Sequence, residues 1–268
     1  MRIRQVATLM IFPVVVACSF IRSAPAPVPP SGMVLIPAGS FWMGSDPGDG
    51  VVGIEIGVDE VPRHRVTLPA YYIDRHEVTN GAYAKFVDAT RNAYLPAPWR
   101  ERDALRLEPD HPVSDTDYYD AEAYCRWAGK RLPTEAEWEK SARGPDGSPY
   151  PWGAAFSPHR ANTMESGLNW SRPVGSYPAG ASVYGVEDLI GNVWEWTSSW
   201  YQAYPGSTLT RPAFGTAYRV MRGGSWGAPA QPFARAANRH APELVAINDR
   251  DTDWHTGYDV GFRCAKDY

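Results

Sequence analysis

Residues 121–144 read AEAYCRWAGKRLPTEAEWEKSARG, and two helices can be drawn from this stretch alone. Ala121, Tyr124, Cys125 and Ala128 recur at helical spacing and Gly129 stops the pattern, so a helix is expected from about Tyr118 to Ala128. After Pro133, Thr134 stands as an N-cap with Glu137 three residues on, a capping box, and Gly144 ends this helix after Arg143. Upstream, Met33-Val-Leu-Ile-Pro and Ser40-Phe-Trp-Met-Gly read as short strands around a Pro-Ala-Gly turn. His64-Arg-Val-Thr-Leu to Tyr72-Ile reads as another strand pair, and Thr79 caps a helix that carries Tyr83, Phe86 and Val87 on one face. From Pro145 to Tyr268 the chain has short strand signals between long loops rich in Trp, Gly and Pro. Helices early and irregular strands late predict one α+β domain over residues 32–268, low in regular secondary structure and without internal repeats.

Composition agrees with such a fold. The 268 residues include 11 Trp, 15 Tyr, 24 Gly and 25 Pro, the makeup of a loop-rich protein held by ring packing and not of a helical bundle. A net charge of −4 disfavours nucleic acid as a partner. No apolar run reaches the length of a membrane-spanning helix.

The first residues read as an address. Arg2 and Arg4 precede an apolar run from Val6 to Ala17, which is the pattern of a secretory signal. Val15-Val16-Ala17-Cys18 resembles a bacterial lipobox, with Val15 where Leu is commonest. That resemblance implies cleavage after residue 17, lipidation of Cys18 and, because Ser19 follows, anchoring in the outer membrane facing the periplasm. Residues 18–31 form a Pro-rich tether to the domain. Removing residues 1–17 deletes two arginines and no acid, which strengthens the case against a nucleic-acid partner. Cys125 and Cys264 remain. In an oxidising compartment they are most simply a disulfide, the rival being a pair of free or metal-binding thiols.

Seven landmarks in order, among them Met33-VLIPAGSFWMG, Tyr72-IDRHEVTNGAYAKFV, the 121–144 stretch, Gly185-VEDLIGNVWEWTSSW, Arg219-VMRGGSW and Gly261-FRCA, resemble the formylglycine-generating-enzyme (sulfatase-modifying factor) family. The resemblance covers nearly all of 33–268 and implies a variant of the C-type lectin-like fold. It also pairs Cys125 with Cys264. Enzymes of that family oxidise a substrate cysteine at a copper ion held by two thiolates, a soft ligand set suited to Cu(I). The matching positions here are Ala228 and Phe233, which cannot ligate copper. The resemblance therefore implies the family fold without copper-dependent formylglycine generation.

Further site residues follow from the same resemblance. Arg222, Ser225 and Trp226 are expected on the wall of a peptide-binding groove, although Gly-Gly-Ser-Trp also reads as a tight turn with a core Trp. Asn192, Val193 and Glu195 match a calcium site of hard oxygens, against the alternative of a Trp-rich turn with Glu195 in a salt bridge. A second calcium site would use Asn162 and Thr163, but Ser166 stands where a carboxylate is expected. Between His240 and Gly261 an apparent insertion holds Asn248, Asp249, Asp251, Asp253, His255 and Asp259. With His240, Asp251, Asp253 and His255 it offers a ligand set for a divalent ion, even a non-haem iron, against the alternative of an ordinary Asp-rich surface loop, since the Gly and distal Glu of an EF-hand are absent. His64 and His76 are assigned buried hydrogen-bonding roles, and Lys130, Arg131 and Arg263 are assigned to ion pairs with neighbouring Glu residues.

Two functions are in view. In the first, an envelope-anchored monomer binds a protein or peptide in its cleft as an accessory or maturation factor. In the second, the protein is a divergent periplasmic oxidase or maturation enzyme with a non-thiolate metal site, as the resemblance to copper-free relatives implicated in siderophore maturation implies.

Overall fold

A computed structural model describes residues 29–47, 57–91, 108–241 and 259–268. Cys18, most of the tether, and Asn248, Asp249, Asp251, Asp253 and His255 lie outside the described residues. Strands β1 (Met33–Ile36), β2 (Gly39–Met43), β3 (His64–Leu68) and β4 (Tyr71–Asp74) precede helices α1 (Asn80–Ala89), α2 (Tyr118–Trp127) and α3 (Glu135–Arg143). Strands β5 (Trp194–Trp200) and β6 (Arg219–Arg222), the single-turn helix α4 (Ala230–Phe233), and strands β7 (Val260–Gly261) and β8 (Ala265–Asp267) complete the order. The arrangement is the expected α+β fold. Among the described residues no helix is long and apolar enough to cross a membrane.

The strand pairing differs from the local reading. β3 and β4 are adjacent in sequence but belong to different sheets. β3 pairs antiparallel with β2, and β4 sits between β1 and the C-terminal β8. β4 is buried along its length, whereas β3 alternates, because only β4 occupies the centre of a sheet. The third sheet has the order β6-β5-β7, with β7 parallel to β5.

The helix starts follow the cap chemistry. Thr79 Oγ1 accepts from the Ala82 amide at 3.2 Å, and Thr134 exchanges both bonds of a capping box with Glu137. α2 is capped by Asp117, which accepts from the Asp120 amide at 2.8 Å. Beneath these helices one core cluster joins Tyr83, Phe86, Tyr124, Trp194, Trp196 and Phe262, and a second gathers Ile36, Ile73, Trp138 and Leu189. Fully buried side chains of this kind stabilise by about 1.5–3 kcal/mol each. Cys125 on α2 is bonded to Cys264, Cα–Cα 5.7 Å, which clamps the helix to the chain entering β8.

Candidate functional site

The site grows from the turn that follows β6. Gly223 and Gly224 have φ of 100° and 76°, the left-handed region that favours glycine. A Cβ on Gly223 would stand 3.2 Å from the Leu189 carbonyl and 3.3 Å from the Trp138 ring, so the turn lies tight against the core. It sets Ser225 and Trp226 side by side with opposite fates. Ser225 is buried, its hydroxyl donating to Asp259 Oδ2 and accepting from the Gly227 amide at 3.3 Å. Trp226 faces outward and packs on Trp170, ring centroids 5.8 Å apart. Trp170 is 38% exposed, and its indole N–H donates to Glu108 Oε2 at 3.2 Å. Two further exposed apolar side chains, Met164 and Leu168, stand on the loop that leads to Trp170, and the Met164 amide donates to the Ala228 carbonyl. Ser171, the next residue, hydrogen-bonds His111 Nδ1 at 2.9 Å; burial pushes the His111 pKa below its ordinary value. The product is an aromatic wall with a carboxylate and an imidazole at its edge, suited to stacking and hydrogen bonding with a ligand.

Arg222 does not belong to that wall. Its side chain is 0% exposed, ion-paired to Glu139 and donating to the carbonyls of Ala236 (3.2 Å) and Asn238 (2.6 Å). It anchors an internal network in which Glu139 also receives Arg143 at 2.6 Å, and Glu135 receives Arg239 at 2.6 Å. Of the three residues expected in the groove, only Trp226 meets solvent. Burial is decided by the packing of α3 on β6, which no local pattern reports.

The positions that the family resemblance matches to the thiolates, Ala228 and Phe233, lie in apolar surroundings. Ala228 is buried within the first core cluster and Phe233 packs against it. The rings and methyl groups there continue the interior of the protein.

The side-chain oxygens named for calcium have partners within the chain. Both Glu195 oxygens are held by Arg263, at 2.7 Å each, and Oε2 also accepts from the Trp138 indole at 2.8 Å. Asn192 Oδ1 accepts from the Arg172 amide (2.8 Å) and from Asn162 Nδ2 (3.2 Å). Asn162 Oδ1 accepts from Ser166 Oγ at 3.0 Å, so the serine in place of the expected carboxylate completes a hydrogen-bonded turn. The Thr163 carbonyl accepts from the Ser166 amide at 2.8 Å, and Val193 packs in the interior. The two groups are thus brought together, but as one asparagine-centred junction. Glu195 therefore stands in the salt-bridge alternative, while the asparagine oxygens are hydrogen-bonded within the chain. Among the described residues no three His, Cys, Asp or Glu side chains gather as metal ligands.

His240 stacks on Trp194, centroids 5.0 Å apart, and its backbone pairs with Met221. Burial pulls its pKa down to about 4. Its proposed co-ligands Asp251, Asp253 and His255 lie outside the described residues, while Asp259 serves Ser225. His64 and His76 are both partly exposed and not buried: His64 Nδ1 bonds the Pro62 carbonyl at 2.9 Å, and His76 faces Glu187 at 3.3 Å. Lys130 pairs with Asp74, not a Glu; Arg131 binds Glu137 and Asp267.

Two features escaped the sequence reading. Trp170 gave a weak signal, a lone Trp in a polar loop. Glu77 gave none. It is 3% exposed, neither carboxyl oxygen has a hydrogen-bond partner among the described residues, and burial, aided by the charge of nearby Asp188, pushes its pKa well up.

Comparison with known proteins places this arrangement. A family model described as "Sulfatase-modifying factor enzyme 1-like domain" matches residues 20–268. Formylglycine-generating enzyme of Bos taurus is 34% identical over 304 residues, covering 90% of this chain and 76% of its own. Inactive C-alpha-formylglycine-generating enzyme 2 of Bos taurus is 34% identical over 284 residues, covering 87% of each. Among solved structures, PvdO from Pseudomonas aeruginosa is similar with a TM-score of 0.65 and 30% identity, covering 88% of this chain and 94% of that one.

Proposed function

The chain belongs to the sulfatase-modifying factor enzyme 1-like family, and from that premise we propose that it is a binding member, an accessory or maturation factor that holds a protein or peptide against its aromatic wall and carries out no copper-thiolate oxidation. The observation that carries the reading is the pair Ala228 and Phe233. Cu(I) needs soft ligands, and a methyl group in the core and a phenyl group packed against it supply none. Cys125 and Cys264 are bonded to each other and cannot substitute. A relative 34% identical is itself named an inactive formylglycine-generating enzyme, so loss of that chemistry on this fold has a parallel.

The binding surface is Trp226 and Trp170, with Glu108 and His111 to orient polar groups. An exposed ring, Trp170, beside a partly exposed one, Trp226, offers area at low conformational cost, the usual way a surface holds an extended ligand. The protein acts as a monomer, lipidated on Cys18 and held at the outer membrane facing the periplasm, where its partner resides. Two measurements test this. Cys18→Ser should abolish incorporation of radiolabelled palmitate; undiminished labelling would remove the anchor from the account. Affinity purification of the full chain from solubilised envelope should yield a protein that is lost when Trp226 and Trp170 are both changed to Ala. Recovery of the same proteins with the double variant would overturn the binding surface.

A further inference from the structure

The buried cations of the described structure follow a rule with one exception. Arg143 and Arg222 pair with Glu139, Arg235 with Glu60, Arg239 with Glu135 and Arg263 with Glu195. Lys140, on α3 and 2% exposed, has no carboxylate within ion-pair distance among the described residues. Its ammonium donates instead to two backbone carbonyls of the β1–β2 turn, Pro37 O at 2.7 Å and Gly39 O at 3.0 Å. Carbonyl dipoles compensate part of the cost of taking a charge out of water, and an anion in contact compensates more of it. Burial lowers the Lys140 pKa, as expected for a cation with no acidic neighbour.

Lys140 also faces space. It lines a cavity of about 390 Å³ between the β1–β2 turn, the chain leaving α3 and the loop at Val183. That is the size range of small-molecule sites. Pro37, Pro145, Val183 and the ring of Tyr184 supply apolar walls, and Asp146 is the acidic residue of the lining. None of these residues belongs to the Trp226–Trp170 wall.

We infer that this cavity is a second ligand site, in which the Lys140 ammonium receives the carboxylate of a small organic monocarboxylate whose apolar body lies against Pro37, Pro145, Val183 and Tyr184. The Asp146 charge sets the class. It repels a dianion such as phosphate more than a monoanion, and the apolar walls offer nothing to a small inorganic ion. The site is independent of the reading of the aromatic wall, and failure of either leaves the other standing.

Calorimetric titration of the full chain at pH 7 with sodium benzoate tests it, with sodium phosphate and benzylamine as controls. Benzoate should bind saturably with one site and a Kd of about 1 mM, the range open to a ligand of this size. Lys140→Met should weaken it by about ten-fold or more, since a charge-assisted hydrogen bond is lost. Val183→Trp, at an exposed position where a larger side chain leaves the core alone, should weaken benzoate equally by closing the cavity. Neither control should saturate. Binding unchanged in folded Lys140→Met or in Val183→Trp, phosphate binding tighter than benzoate, or no saturation at all would overturn the site.

Discussion

Glu139 stands at the meeting point of two guanidinium groups, and its value to the fold can be stated as a cost. Its Oε1 accepts from Arg143 (2.6 Å) and the Gly44 amide (2.7 Å), and Oε2 is paired to Arg222. Replacing a buried pair wholesale by apolar groups is often neutral, but removing one member strands the other. Glu139→Ala leaves two arginines short of their anion and should destabilise the protein by about 3–5 kcal/mol in urea unfolding. A loss under about 1 kcal/mol would show that water reaches the network. His240 makes a pH-dependent contribution of definite sign. Its folded pKa, about 4, lies below the ordinary 6.5, so the neutral ring is the one the fold accepts. Its contribution is complete above pH 6.5 and disappears as pH falls from there to 4. The full loss is about 3 kcal/mol. His240→Phe keeps the stack on Trp194 and should flatten stability over that window; an unchanged slope would assign it elsewhere. Glu77 has the opposite sign. Its raised pKa makes it a cost as pH rises, so Glu77→Gln should stabilise the protein more at pH 8 than at pH 5. Equal effects at the two pH values would mean that its charge is compensated.

At the scale of elements, what could be read in advance was what a few neighbouring residues decide. The starts of α1 and α3 were legible because a cap is a bond between side chain and backbone three residues apart. Thr134→Ala removes one such bond and loosens Glu137, which also holds Arg131 in a two-bond fork at 2.7 and 2.8 Å. The expected cost is about 1 kcal/mol in thermal or urea unfolding, with a larger value if the fork to Arg131 is also lost. No measurable change would mean that the fork alone fixes the helix start. Strand partners were not legible. β3 and β4 each have a plausible neighbour two residues away and each pairs with another strand, because register is decided by which faces are buried in the whole. The same distinction separates Trp226 from Arg222. A Gly-Gly turn announces that the next side chains are held in place, but not which of them is turned to solvent. For calcium, side chains with the right oxygens were recognised, while the donors that occupy those oxygens, Arg263 from β7–β8 and the Arg172 amide, come from distant parts of the chain.

The whole molecule combines a retained frame with a replaced centre. The family motifs carry the frame: the disulfide between Cys125 and Cys264, the Glu195–Arg263 pair beneath the Trp-rich strand and the capping box that joins α3 to the C-terminal β8 through Arg131. At the positions that the family resemblance matches to the copper thiolates the chain has Ala228 and Phe233, the first in the core and the second packed against it. The most direct measurement is therefore an assay of the purified chain, supplied with Cu(I) and O₂, on a peptide containing a sulfatase-type cysteine. Mass spectrometry should find the peptide mass unchanged and metal analysis no stoichiometric copper on the protein. Conversion of the cysteine to the aldehyde by the wild-type chain would contradict the account at its root.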